Sequence, residues 1–233
     1  MRADHHVHST YSSDAVSTLE QNVAVAGDRG LTTLCLADHV RADTTWVPEF
    51  VVAVKAARAG TELEVLCGVE AKILDDRGRV DVPADLPAVD RVLIADHQFP
   101  GVDGPVAPND VRRRLNAEET TPEEVVQTLV DATVAALRRT PTPQLAHLFS
   151  ILPKVGLNES DVEPDHLRLL ATTARATGAL VEVNEKWNCP GPAAVAAFRA
   201  EGVPVVPSTD SHDAQDVGRY RRVLALLARA GPG

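Results

Sequence analysis

Short apolar runs alternate along the chain with longer segments of helical spacing. Strand-like runs cover about residues 2–7, 31–37, 62–71, 89–95, 144–147, 179–184 and 203–207. They are short, rich in Val, Leu and Ile, and bounded by Gly, Pro or polar residues, the pattern of buried strands. Between them the spacing predicts helices. One starts from an N-cap at about Ser17 and runs to Asp28, with Gly30 past its end. Another is opened by Pro48 and reaches Ala59. The strongest follows Thr121-Pro-Glu-Glu124, in which Thr121 caps, Pro122 takes the first position and Glu124 completes a capping box. Further helices are expected at 164–177 and 192–201, each stopped by a glycine, and at 216–230. A polar loop is expected at 99–108.

Seven strands with helices between most of them imply parallel pairing through crossovers. With no linker, low-complexity stretch or repeat, residues 1–233 are expected to form one α/β domain, a barrel closed by seven strands. A length of 233 residues fits one large domain. Aromatic residues make up only 3% of the chain, which leaves most of the packing to Ala, Val and Leu.

Charge and composition narrow the chemistry. A formal net charge of −10 argues against broad attraction to a nucleic-acid backbone. No apolar run reaches the length of a membrane span, and no secretory signal pattern opens the chain, so a cytoplasmic location without a membrane partner is expected. Cys35, Cys67 and Cys189 are far apart and odd in number, which does not suit a disulfide scaffold or a cysteine-rich zinc site.

The histidines carry the functional signal. Six of the eight lie at, or just past, the C-terminal end of a strand-like run: His6, His8, His39, His97, His147 and His212. Glu70 lies near the end of the third run, and Asp210 two residues before His212. In a parallel barrel all of these ends open on one face, so residues distant in sequence converge there. The i, i+2 pairs His6/His8 and Asp210/His212 place both side chains on one side of a strand. Imidazole and carboxylate together suit Zn, Mn or Fe. Asp14 lies within reach in the loop after the first run. Alternation turns His5 away from His6 and His8. His166, at a helix start, reads as a surface residue.

These motifs, in this order, resemble the PHP (polymerase and histidinol phosphatase) family across nearly the whole chain. They are Asp4-His5-His6-Val7-His8-Ser9, Ala37-Asp38-His39, Gly68-Val69-Glu70, Ala95-Asp96-His97, His147 and Thr209-Asp210-Ser211-His212. The resemblance implies a distorted (β/α)7 barrel holding three divalent transition-metal ions. His6, His8, Glu70 and Asp210 would hold one. Glu70 would bridge to a second, held with His97 and His147. Asp14, His39 and His212 would hold the third. The implied activity is hydrolysis of a phosphoester by a metal-activated water, with Glu70, Asp210 and His212 in the catalytic centre. Three features depart from the family pattern. His5 replaces an apolar residue, Asp96 adds an acid beside His97, and the nearest base after His147 is Lys154, seven residues on.

Lys186, Asn184, Lys154 and Arg41 are the candidate substrate contacts. Lys186 leads among the bases, because Asn184-Glu185-Lys186 ends the sixth run on the catalytic face. A small phosphomonoester such as histidinol phosphate is the first expectation, with nucleotides, phosphotyrosine peptides and oligonucleotide ends as alternatives. Two other classes remain open: an amidohydrolase-type C–N hydrolase, in which a strand-end lysine usually bridges the metals, and a non-catalytic metal-binding PHP domain.

Overall fold

The computed structural model describes residues 1–230. Its centre is a sheet of seven strands: β1 (Ala3–Val7), β2 (Thr33–His39), β3 (Glu64–Lys72), β4 (Arg91–Ala95), β7 (Pro143–Leu145), β8 (Leu180–Asn184) and β9 (Val205–Ser208). Each pairs in parallel with the next in that order. Between β4 and β7 the chain makes a small antiparallel hairpin, β5 (Phe99–Gly101) and β6 (Gly104–Val106). The helices are α1 (Leu19–Asp28), α2 (Val47–Ala59), α3 (Pro108–Asn116), α4 (Pro122–Arg139), α5 (Leu152–Val155), α6 (Pro164–Thr177), α7 (Pro192–Ala200) and α8 (Arg222–Arg229). No helix among the described residues is long and apolar enough to cross a membrane.

The sheet curls until its edges almost meet. Closure falls to the segment just past β9: the His8 amide donates to the Ser211 carbonyl at 2.8 Å, and the Asp210 amide to the His6 carbonyl at 2.9 Å. Asp4 locks the seam. Its buried carboxylate accepts from the Thr209 amide (2.9 Å), the Thr209 hydroxyl (2.6 Å) and the Gly218 amide (2.8 Å). The seven-stranded, nearly closed barrel is therefore the architecture that the alternation of strands and helices implied.

Strand alternation sends one set of side chains inward and the other to the surrounding helices. The outward set packs under α4 and α6, where Leu129, Val130, Leu137, Leu170 and Ala174 meet Leu145 and Val181. The interior is filled mostly by small residues, Cys35, Ala37, Ala95 and Ala146, around the one larger Leu93. Gly68 belongs to this plug. A Cβ there would meet Cys35 Sγ at 3.0 Å, and Ala37 Cβ and Leu93 Cδ1 at 3.2 Å. The glycine of the G-V-E motif is thus a packing requirement of the barrel floor, on which the histidines stand.

Several boundaries differ from those expected. Thr18, not Ser17, caps α1, forming a capping box with Gln21; the Ser17 hydroxyl instead accepts from the Ala214 amide at 2.8 Å. The expected loop at 99–108 contains the β5–β6 hairpin and leads into α3. Strands of three residues are too short to show a period, and α3 buries only Val111, so neither had an apolar signature. The last expected helix is divided: a short 3-10 turn spans Ala214–Asp216, and α8 begins only at Arg222. Gly218, with φ near +70°, interrupts it and delivers its amide to Asp4.

Candidate metal centre

The ends of β1, β2, β3, β4, β7 and β9 bring nine side chains to one mouth of the barrel. Glu70 stands at the centre, almost fully buried. Register explains its position: it lies directly beside His39 across the β2–β3 ladder. Its two oxygens divide the surrounding imidazoles. Oε1 faces His97 Nε2 at 3.1 Å and His147 Nε2 at 2.9 Å. Oε2 faces His39 Nδ1 at 2.7 Å, and His6 Nε2 and His8 Nε2 at 3.5 Å each. Asp210 Oδ1 lies 3.3 Å from His8 Nε2. Asp14 Oδ2, in the exposed loop after β1, faces His212 Nε2 at 3.3 Å and His39 Nε2 at 3.6 Å.

The outer nitrogens of these rings are held by acceptors, which fixes the tautomers. His6 Nδ1 lies 3.0 Å from Glu182 Oε2. His147 Nδ1 lies 3.0 Å from Ser150 Oγ, whose hydroxyl donates to Asp96 at 2.6 Å. His8 Nδ1 lies 3.3 Å from Ser12 Oγ, whose hydroxyl donates to Asp38 at 2.6 Å. His212 Nδ1 lies 2.9 Å from the Asp210 carbonyl. In the neutral rings of His6, His8 and His147 the outer nitrogen must therefore carry the proton, which leaves the Nε2 lone pair for a cation; at His212 the Asp210 carbonyl favours the same tautomer over the more distant Lys186 amine, 3.3 Å away.

That leaves an unbalanced centre. His6 Nε2 and His8 Nε2 are buried, lack hydrogen-bond partners, and both face Glu70 Oε2, whose one close neighbour is His39 Nδ1. Buried lone pairs converging without donors are costly unless a cation lies among them. The sets His6/His8/Glu70, His39/Glu70/His97 and His8/His39/His212 are each close enough to share an ion. Imidazole and carboxylate donors, each ring oriented by a second hydrogen bond, fit a divalent transition metal.

Without a cation, protons accumulate here. Burial works against charging His147, but Asp96 and Glu70 overcome it and raise the imidazole to about 10. His6 is likewise raised well above its ordinary value, with Glu182, Glu70 and Asp210 outweighing burial. His8 goes the other way, pushed down to about 3 by burial above all. The carboxyls of Glu70 and Asp210 are held below their usual range despite burial, chiefly by the neighbouring histidines.

Two of the candidate ligands sit in backbone conformations rare for non-glycine residues. His147 has φ near 32° and Asp210 near 54°. Each is clamped: the His147 amide donates to Glu182 Oε1 at 2.6 Å, and the Asp210 amide to the His6 carbonyl. Strain held this way at converging side chains is typical of functional sites.

A family model of the PHP domain matches residues 4–185. The chain belongs to the PHP family. Its curated relatives include a probable phosphatase of Caldanaerobacter subterraneus subsp. tengcongensis, 24% identical over 96% of this chain and 81% of the relative. A probable phosphatase of Shewanella oneidensis is 26% identical over the same shares. Among solved structures, histidinol phosphate phosphatase from Lactococcus lactis subsp. lactis, crystallised with zinc, L-histidinol and phosphate, superposes with a TM-score of 0.70 at 16% identity. The match covers 99% of this chain and 94% of that one, and shows a shared fold.

The structure brings the nine side chains expected as ligands to one mouth of the barrel. It treats the expected substrate contacts unequally. Lys186 lies at the rim, with Nζ 3.6 Å from Asp210 Oδ1. Arg41 lines the same cleft, whose volume is about 860 Å³. Lys154 lies in an adjoining hollow, its amine 4.1 Å from the centre of the Trp187 ring. Asn184 does not reach the cleft. It is buried, its amide donating to Glu182 at 2.8 Å and accepting from the Trp187 amide at 2.9 Å. The strand end that seemed to aim Asn184 at substrate instead aims it at its neighbours. His166 is remote, bonded to Gln127.

Sequence reasoning did not assign four supporting groups: Asp38, Ser12, Ser150 and Trp187. Asp38 and Asp96 both stand immediately before a ligand histidine, a position that signalled them. Ser12, Ser150 and Trp187 carried no comparable mark.

Proposed function

We propose that this chain is a metal-dependent phosphatase of the PHP type, acting on a small phosphomonoester with three divalent cations at the barrel mouth. The observation that carries the reading is the division of five imidazoles between the two oxygens of Glu70, the arrangement of a bridging carboxylate. His6, His8 and Asp210 would hold one cation on the Oε2 side, and His97 and His147 a second on the Oε1 side. His39 donates Nδ1–H to Glu70, which frees its Nε2 to join Asp14 and His212 around a third. Cations held there would supply Lewis-acid stabilisation and lower a water's pKa towards neutrality, so that it could act as the nucleophile.

The chain's own groups position the substrate. Lys186 and Arg41 offer positive charge at the rim for phosphoryl oxygens. His212, part-exposed at the cleft wall, and Asp210 beneath it are placed to hold or pass the proton that the leaving oxygen needs. The cleft volume suits a small phosphomonoester. The Lactococcus relative of like fold was crystallised with L-histidinol and phosphate, and histidinol phosphate is the first substrate to test.

The amidohydrolase alternative loses support at Lys72. This strand-end lysine is paired with Asp81 at 3.4 Å, while Glu70 is the group placed where it would bridge two cations. A panel of phosphomonoesters, including histidinol phosphate and nucleoside monophosphates, tested on protein loaded with Mn, Zn or Fe, is the decisive experiment. Turnover of at least one is expected; no turnover of any would overturn the proposal.

A further inference from the structure

Trp187 is one of two tryptophans in the chain, and none of the recognised motifs includes it. Its indole Nε1–H donates to Asp210 Oδ2 at 2.8 Å. The other oxygen, Oδ1, faces His8 Nε2 and the Lys186 amine. The two oxygens therefore have separate partners: Oδ2 is tied to the indole, and Oδ1 turns to the metal centre. Asp210 needs such a tie because its backbone stands in the left-handed region, where the carboxylate's direction is not set by a regular strand.

Trp187 is itself fixed from both ends. Asn184 Nδ2 donates to Glu182, so the amide oxygen of Asn184 must face the Trp187 N–H, which it accepts at 2.9 Å. The same Glu182 holds His6 Nδ1 and the His147 amide. One hydrogen-bonded chain thus runs from Glu182 through Asn184 and Trp187 to Asp210, and touches ligands from β1, β7 and the segment after β9. The Lys154 amine over the indole face adds a cation–π contact that holds the ring plane.

We propose that Trp187 is a positioning residue for Asp210, holding Oδ2 by its indole N–H so that Oδ1 alone is presented to the cation beside His8. The proposal rests on the metal-centre reading given above. Its consequence is specific to the donor atom, not to the bulk of the ring.

Two variants separate these. Trp187→Phe removes the N–H and part of the ring. Incorporation of 3-benzothienylalanine at position 187 keeps the bicyclic shape and replaces N–H by sulfur. Both are expected to release Zn to a chelator such as dipicolinate roughly 10–100-fold more readily than the wild type, as loss of a ligand's supporting hydrogen bond generally does. On any substrate the wild type turns over, kcat is expected to fall with little change in KM. In the wild type, the Trp187 indole N–H signal, assigned by its absence from the benzothienyl variant, is expected to exchange slowly and to shift when Zn is removed. Wild-type metal retention in the benzothienyl variant would overturn the proposal. So would an indole signal that exchanges freely and ignores Zn, a result that stands even if Trp187→Phe fails to fold. Metal retention and the indole signal need no turnover, so they judge Trp187 separately from the phosphatase reading.

Discussion

Glu182→Gln is the most informative single change, because it alters one atom of a buried carboxylate that no metal is proposed to touch. Glu182 Oε1 accepts from the His147 amide at 2.6 Å and from Asn184 at 2.8 Å. Oε2 accepts from His6 Nδ1 at 3.0 Å and from Gln144 Nε2 at 3.2 Å. A glutamine keeps one oxygen. Placed towards the two shorter contacts, it leaves its NH2 facing His6 and Gln144, both donors. His6 can then satisfy the amide only by moving its proton to Nε2, which removes the lone pair offered beside Glu70. Two buried donors without acceptors, at about 1–3 kcal/mol each, place the stability loss near ~2–6 kcal/mol. Relief of a buried charge works against part of that. Metal affinity is expected to fall roughly 10–100-fold, the usual consequence of losing the group that orients a ligand imidazole. Metal content by plasma mass spectrometry after dialysis, thermal melting and kcat on an active phosphoester read the three effects. Wild-type metal content with unchanged kcat in a folded Glu182→Gln protein would refute the tautomer argument.

Gly68→Ala forces a Cβ to within 3.0–3.2 Å of Cys35, Ala37 and Leu93, and is expected to cost about 1–3 kcal/mol, seen as a lower Tm. An unchanged melt would mean that the barrel floor relaxes freely. Metal loading should release protons at pH 7 to 8. The metal-free site keeps His147 protonated up to about 10, and His6 is also raised, so a cation must displace those protons and apparent affinity should climb with pH. Calorimetry in buffers of different ionisation enthalpy checks this, and zero proton release would contradict it. Lys186→Met should raise KM for a phosphomonoester by roughly 10-fold, the equivalent of one charge-assisted contact, with metal content unchanged. An unaltered KM would remove Lys186 from the phosphate site.

The sequence by itself determined the class of fold and which side chains would meet at its mouth. Seven short β-branched runs separated by helical spacing dictate parallel pairing, and parallel pairing puts every strand's C-terminal end on one face. Six histidines and Glu70 at those ends therefore had to converge, whatever the details of packing. Capping chemistry placed the start of α4 correctly, since Thr121 and Glu124 act within one turn of chain. Where the relevant partner lay far away in sequence, local pattern was silent. Ser17 was passed over as a cap because Ala214, distant in sequence, claims its hydroxyl. Asn184 ended its strand on the correct face, yet the tertiary structure commits its amide to Glu182 and Trp187. The tautomers were also decided only in three dimensions: a histidine's proton sits where a remote carboxylate, hydroxyl or carbonyl accepts it, and Glu182, Asp96, Asp38 and the Asp210 carbonyl come from four different parts of the chain. The indole bond to Asp210 belongs to the same category. Strand order and residue type are properties of the chain, but the choice of which atom of each ligand faces the centre is made by contacts that exist only once the barrel has closed.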